Sequence, residues 1–262
     1  MTPKMPRGAI PTPRSELAAS EPYRPEDGAK IFVPSGQFPS PSHELAAARP
    51  YRPATAAPES FLAWPIEISL WGSDTAGDSI WAEEAFAKAC AEPKVFLPAE
   101  AVRLASQQCG SSNLAEFLET RGFQIEDKAY LDGPFHSLDW TSEAALHSAI
   151  THAGPVKIAI APANLQSRLS PGQSGWAVCG LPPAQPQNHC ASLCGYGPLA
   201  ALIDLFTRQG VHPDPPVDMP SGLCYAIFLR GSIGILDRQS LLNITGEAWV
   251  RTPTTIVRNL HK

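Results

Sequence analysis

The chain has 262 residues, 44% of them hydrophobic, which is enough to bury a core in one large domain or two lobes and excludes disorder over most of its length. Its net charge of -5, with Lys and Arg scattered, leaves no basic footprint, so neither nucleic acid nor an acidic membrane surface is expected as a partner. No apolar run suits a signal-peptide core or a membrane span, and the six cysteines form no CxxC pair; a cytoplasmic protein with reduced thiols, no metal and no cofactor is expected.

Residues 1–58 read as a proline-rich, extended tail. They carry twelve of the 28 prolines, which remove backbone donors and favour polyproline-type conformations. PRSELAASEPYRP (13–25) and PSHELAAARPYRP (41–53) repeat Glu-Leu-Ala-Ala and Pro-Tyr-Arg-Pro in the same order and spacing. Composition alone suits a flexible linker. The duplication also suits two docking peptides, with Tyr23 and Tyr51 as anchors, Arg24 and Arg52 as charges, and prolines that lower the ordering entropy. Two copies would then attach bivalently to a protein partner or to another copy of the chain.

Residues 59–262 have the mixed composition of a folded domain. FLAWPIEISLW (61–71) is strand-like with a proline interruption. A helix is expected from Ser79, with Asp78 or Ser79 as N-cap. Ala82, Ala85, Phe86, Ala89 and Cys90 mark one buried face, and Glu83 and Glu84 favour the positive end of the dipole. Further helices are expected over 98–109, over 112–122 with Gly122 as C-cap, and over 141–154 with Thr141 as N-cap. Strands are expected over 156–163 and 189–197, the latter ending in a glycine-rich turn, and a hairpin over 224–237 turning through Gly231 to Gly234. Helices first and strands second predict an α+β fold, with a helical lobe facing an antiparallel β lobe. His136, His147 and His152 read as surface or helix-face residues, Cys190 as core, and SPGQSGW (170–176) as a loop without nucleophile-elbow spacing.

NHCASLCGYG (188–197) resembles the histidine strand of the papain-like cysteine peptidases, and EAALHSAITHAGPVKIAI (143–160) resembles the helix and strand that precede it. The resemblance covers about residues 61–250. It implies that His189 is the family histidine and that the helix beginning at Ser79 is the one whose N-terminus carries the nucleophilic cysteine; Asn188 would either touch substrate or simply start the strand. A helix N-terminus suits a thiolate, because its N–H groups and dipole favour the anion. A serine hydroxyl gains little there and needs an intact base and oxyanion hole.

Two further departures follow from the resemblance. Ser73 stands where the family places an oxyanion-holding amide, and FLRGSIG (228–234) stands where the family has the Asn that orients the histidine, leaving Phe228, Arg230 or Gly231 at that point. The expectation is therefore a papain-like homologue that has lost peptidase activity and acts in binding or assembly. One alternative is an active cysteine or serine hydrolase using His189. Another is a structural component of a larger assembly, docked through the repeated tail.

Overall fold

The computed structural model describes residues 48–53, 56–72, 79–110, 113–162, 165, 169 and 172–260, all within the compact unit Gln37–Lys262. Tyr23, Arg24, Ser73 and Asp78 lie outside the described residues.

Two short strands come first, β1 (Arg49–Pro50) and β2 (Phe61–Leu62), followed by helices α1 (Ser79–Cys90), α2 (Ala99–Cys109) and α3 (Leu114–Thr120). Strands β3 (Phe123–Ile125), β4 (Lys128–Leu131) and β5 (Phe135–Ser137) lead into α4 (Glu143–His152) and β6 (Val156–Ile160). The remainder is β7 (Ala177–Val178), β8 (His189–Pro198), α5 (Leu199–Arg208), β9 (Leu223–Leu229), β10 (Ser232–Asp237), α6 (Arg238–Ile244), β11 (Thr245–Arg251) and β12 (Ile256–Asn259). The class is α+β. The expected segregation fails in detail, because β3 to β5 lie among the early helices and α5 and α6 among the late strands.

The main sheet runs β1-β5-β11-β6-β8-β9-β10-β7, with β2 also on β8; a second sheet runs β12-β4-β3. Alternation along the central strands divides their side chains between two cores. Cys224, Ala226 and Phe228 of β9 face the core shared with α1 and α2, while Tyr225, Ile227 and Leu229 face the core shared with α4 and α6. Both faces of the sheet are therefore covered, which explains why β6, β9 and β10 read as nearly continuous apolar runs.

Caps and turns fix the element ends. Asn113 caps α3 by accepting from the Glu116 amide at 2.8 Å. Gly122 follows α3 at φ +57, where an added Cβ would come within 2.2 Å of the Tyr130 carbonyl oxygen, so only glycine fits. The cap of α4 is Ser142, accepting from the Ala145 amide at 3.3 Å, and not the expected Thr141, whose hydroxyl donates to Asp139 at 2.6 Å. The β9–β10 hairpin turns at Arg230–Gly231 alone; Gly234 lies within β10, beneath the Trp176 ring.

All twelve residues of α1 are buried, where the sequence pattern suggested one buried face. Four alanines allow close approach on every side, and the polar positions are matched by charges from the sheet. Glu84 pairs with Lys157 at 2.9 Å and Arg251 at 3.0 Å; Lys88 pairs with Asp132 at 2.5 Å and donates to the Leu131 and Thr254 carbonyls. Burial alone would raise the Glu84 pKa, but Lys157 and Arg251 outweigh it and hold the carboxyl down at about 2. Glu83 has no such cation in contact. Burial raises its pKa well above the carboxylate range, and Ser192 faces it without completing a hydrogen bond.

The sheet also takes in part of the segment expected to be tail. Arg49 and Pro50 pair in parallel with His136 and Ser137, and the Tyr51 amide donates to the Ser137 carbonyl at 2.9 Å. The Tyr51 ring packs on the α4 core, with its hydroxyl 3.4 Å from Ser148 Oγ. The second Pro-Tyr-Arg-Pro copy is thus seated on the folded body, with Arg52 exposed beside it.

Candidate functional site

Ser79 and His189 come together because α1 begins against the start of β8. The Cys190 amide, next along from His189, donates to Ser79 Oγ at 3.3 Å. Ser79 is the first residue of the helix, so its hydroxyl ties helix to strand instead of serving as an N-cap. It is 2% exposed, and His189 is 9% exposed. Asn188, immediately before the strand, is exposed.

Cys190 is fully buried in the α1 core, where burial, and after it Glu83 and Glu84, push its thiol well above the usual range. It is core, as its strand position suggested. All six cysteines are buried thiols.

The partner side of the histidine differs most from peptidase chemistry. Of the three residues that could stand for the family's orienting Asn, Phe228 is excluded: it is fully buried and stacked on Phe86, with ring centroids 3.9 Å apart. Antiparallel pairing matches Ser192 with Phe228, and the Arg230–Gly231 turn follows directly on the end of β9 at Leu229. Gly231 has φ +70, and a Cβ there would meet Leu70 Cδ2 at 2.8 Å, so the position admits no side chain without a shift of Leu70. Arg230, at φ +50, brings a cation instead.

Burial, and after it the charge of Arg230, lower the His189 pKa to about 4. The imidazole is therefore neutral at pH 7. Its Nε2 is buried with no hydrogen-bond partner among the described residues, and so is Arg230 Nε. This arrangement can bind through hydrogen bonds or charge. It lacks both halves of a thiolate–imidazolium pair, and a base with a pKa near 4 is far from the range that suits proton transfer at neutral pH.

Sequence reasoning paired Ser79 with His189, and in the structure Ser79 Oγ accepts from the amide of the residue after His189. It weighed Arg230 only as an unsuitable hydrogen-bond acceptor and missed it as a charge. The signal was available in the Arg-Gly dipeptide between two apolar runs, which marks a hairpin turn, but the register of that turn on β8 was not. His147 is also not a plain surface residue: it stacks on Tyr196 with centroids 3.8 Å apart, and burial lowers its pKa. Among the described residues no cluster of His, Cys, Asp and Glu could hold a metal ion, and no helix is long and apolar enough to cross a membrane.

No protein-family model and no curated protein matches the chain. Among solved structures it is similar to a chain from work on antibody cross-reactivity between the mite allergens Blo t 1 and Der p 1. That likeness has a TM-score of 0.55 at 13% identity, over 82% of this chain and 78% of that one. Digestive procathepsin L 3 of Tenebrio molitor larval midgut gives 0.43 at 14% identity, over 81% and 79%. Procathepsin L2 proteinase from the same tissue gives 0.35 at 13%, over 79% and 74%. At such identity the mite-allergen likeness speaks for architecture alone.

Proposed function

We propose that this chain is a papain-like peptidase homologue without peptidase activity, whose cleft between α1 and β8 holds a peptide. The observation that carries this reading is the state of His189. The residue after it binds a hydroxyl, Ser79 Oγ, where a thiolate would stand, its ring is held neutral by burial and the charge of Arg230, and its Nε2 has no hydrogen-bond partner among the described residues. A groove does not need a nucleophile to bind an extended segment.

The repeated Pro-Tyr-Arg-Pro segments are the attachment device in this reading. The seating of the second copy supports it, since a packed socket for Tyr51 is the kind of contact a partner surface could offer the first copy.

Fluorogenic peptide substrates, together with thiol- and serine-directed covalent probes, test the proposal on the full chain. No cleavage is expected, and no labelling of Ser79, Cys90 or Cys190. Ser79→Cys should remain at least on the order of a hundredfold below a working peptidase, because a competent base and its orienting partner are still missing. Robust cleavage by the unaltered chain that disappears in Ser79→Ala would sink the reading and establish the hydrolase alternative.

A further inference from the structure

The two copies of the repeat are alike in Pro-Tyr-Arg-Pro and opposite in charge around it. Residues 20–27, SEPYRPED, set Glu21, Glu26 and Asp27 against the single Arg24, whereas residues 48–55, ARPYRPAT, carry Arg49 and Arg52 and no acid. The basic copy is the one seated on the folded body, through Arg49 and Pro50 on β5 and Tyr51 against Ser148.

Seated there, it becomes one wall of a groove of about 600 Å³, lined by Arg49, Pro50, Tyr51 and Arg52 together with His136 of β5 and Thr252 just beyond β11. No carboxylate lines the groove. Both arginines are exposed, and among the described residues neither forms an ion pair. Among the described residues β1 is also the outermost strand on its side of the main sheet, so its outer margin is open to a further segment. One copy of the repeat thus builds a cationic groove, and the other carries the matching charge. Exchange of the copies in the Tyr51 seat would only replace one Pro-Tyr-Arg-Pro contact by another. The groove is the surface that the seated copy leaves open.

We propose that this groove is where a second copy of the chain attaches, through its residues 20–27. The proposal rests on the attachment role given to the repeat above, and names the partner. The acids of the incoming segment lie against Arg49 and Arg52, and its prolines keep the ordering cost low. Complementary charge selects this copy over the basic one. Two chains that exchange these segments reciprocally close a two-fold dimer, in which the second contact forms at high effective concentration. Closure lets exposed ion pairs hold the dimer although each is weak alone.

Sedimentation velocity of the full chain over a concentration series tests the proposal. Monomers should pass into dimers as concentration rises, and Arg49→Glu/Arg52→Glu should weaken the association by about tenfold or more. That variant should melt as the wild type does, because both side chains are exposed. Glu21→Arg/Glu26→Arg/Asp27→Arg should weaken association to a similar extent. An equimolar mixture of the two variants should recover the dimer, since each incoming segment then meets a groove of opposite charge. A labelled SEPYRPED peptide should bind the dilute wild-type chain about tenfold or more tightly than a labelled ARPYRPAT peptide.

Equal binding of the two peptides would mean exchange in the Tyr51 seat and would overturn the groove. A wild type that stays monomeric, and takes up SEPYRPED only after Glu21→Gln/Glu26→Gln/Asp27→Asn, would overturn the second copy as occupant in favour of the chain's own segment. A dimer unaffected by Arg49→Glu/Arg52→Glu but lost in Tyr23→Ala would overturn the groove while leaving the repeat as an attachment device. A monomer at every concentration that binds neither peptide would overturn both.

Discussion

At the scale of single residues, His189 and its surroundings make testable statements about pH. Its folded pKa of about 4 lies below the ordinary histidine value of about 6.5, so the unfolded chain takes up a proton before the native one does. That contribution to stability is complete above about pH 6.5 and is lost as pH falls towards 4. Urea unfolding at pH 7 and pH 5 should show a larger loss for the wild type than for His189→Gln; equal losses would mean the ring is not held neutral. Gly231 gives a second test. Asn tolerates its left-handed backbone, but a Cβ there meets Leu70, so Gly231→Asn should cost about 1–3 kcal/mol through overpacking. Leu70→Ala in the same chain should relieve part of that cost, and a double-mutant cycle measures the coupling. Ser79 and His189 could be singled out because each sits in a recognisable local motif. The charge of Arg230 on His189 and the packing of Leu70 on Gly231 could not, since both join residues far apart in the chain.

At the scale of elements, α1 shows what periodicity can and cannot say. Its three- and four-residue spacing correctly predicts a helix, and its Glu and Lys suggest a solvated face. Burial on all sides follows from Lys157, Asp132 and Arg251, which sit on β6, after β4 and on β11, too far along the chain for a local pattern to reveal. The two adjacent acids should behave in opposite ways. Glu84→Gln leaves Lys157 without its counter-charge and Arg251 with Asp132 at 3.5 Å, and should cost about 3–5 kcal/mol. Glu83→Gln replaces a group already held protonated by burial and should cost well under that. Thermal melts of the two variants check the contrast. With its folded pKa near 2, Glu84 stabilises the chain fully above about pH 5, a contribution that fades as pH falls towards 2. Helix α5 went unread because β8 passes into it through Pro198 without an intervening loop, so the period changes from two to 3.6 within a few residues.

At the scale of the whole molecule, the architecture was legible in its second half, where NHCASLCGYG and the preceding Gly-Pro-Val strand carry strong local signals. It was less so before Ser79, where Phe61–Leu62 is all that remains of an expected long strand. The repeat was visible as a duplication, but its attachment to β5 was not, because a proline-bearing segment of two paired residues carries no strand pattern. The seat of Tyr51 makes the start point of any shortened form of the protein matter. A polypeptide beginning at residue 59 would uncover the outer backbone of Phe135–Ser137 and leave a hollow over Ser148, whereas one beginning at residue 41 would keep both closed. The former should melt several degrees lower and scatter more light on concentration, as bare strand margins invite neighbours. Matching melts and matching solubility for the two forms would mean that these few residues are ornament, and that the fold closes its own flank without them.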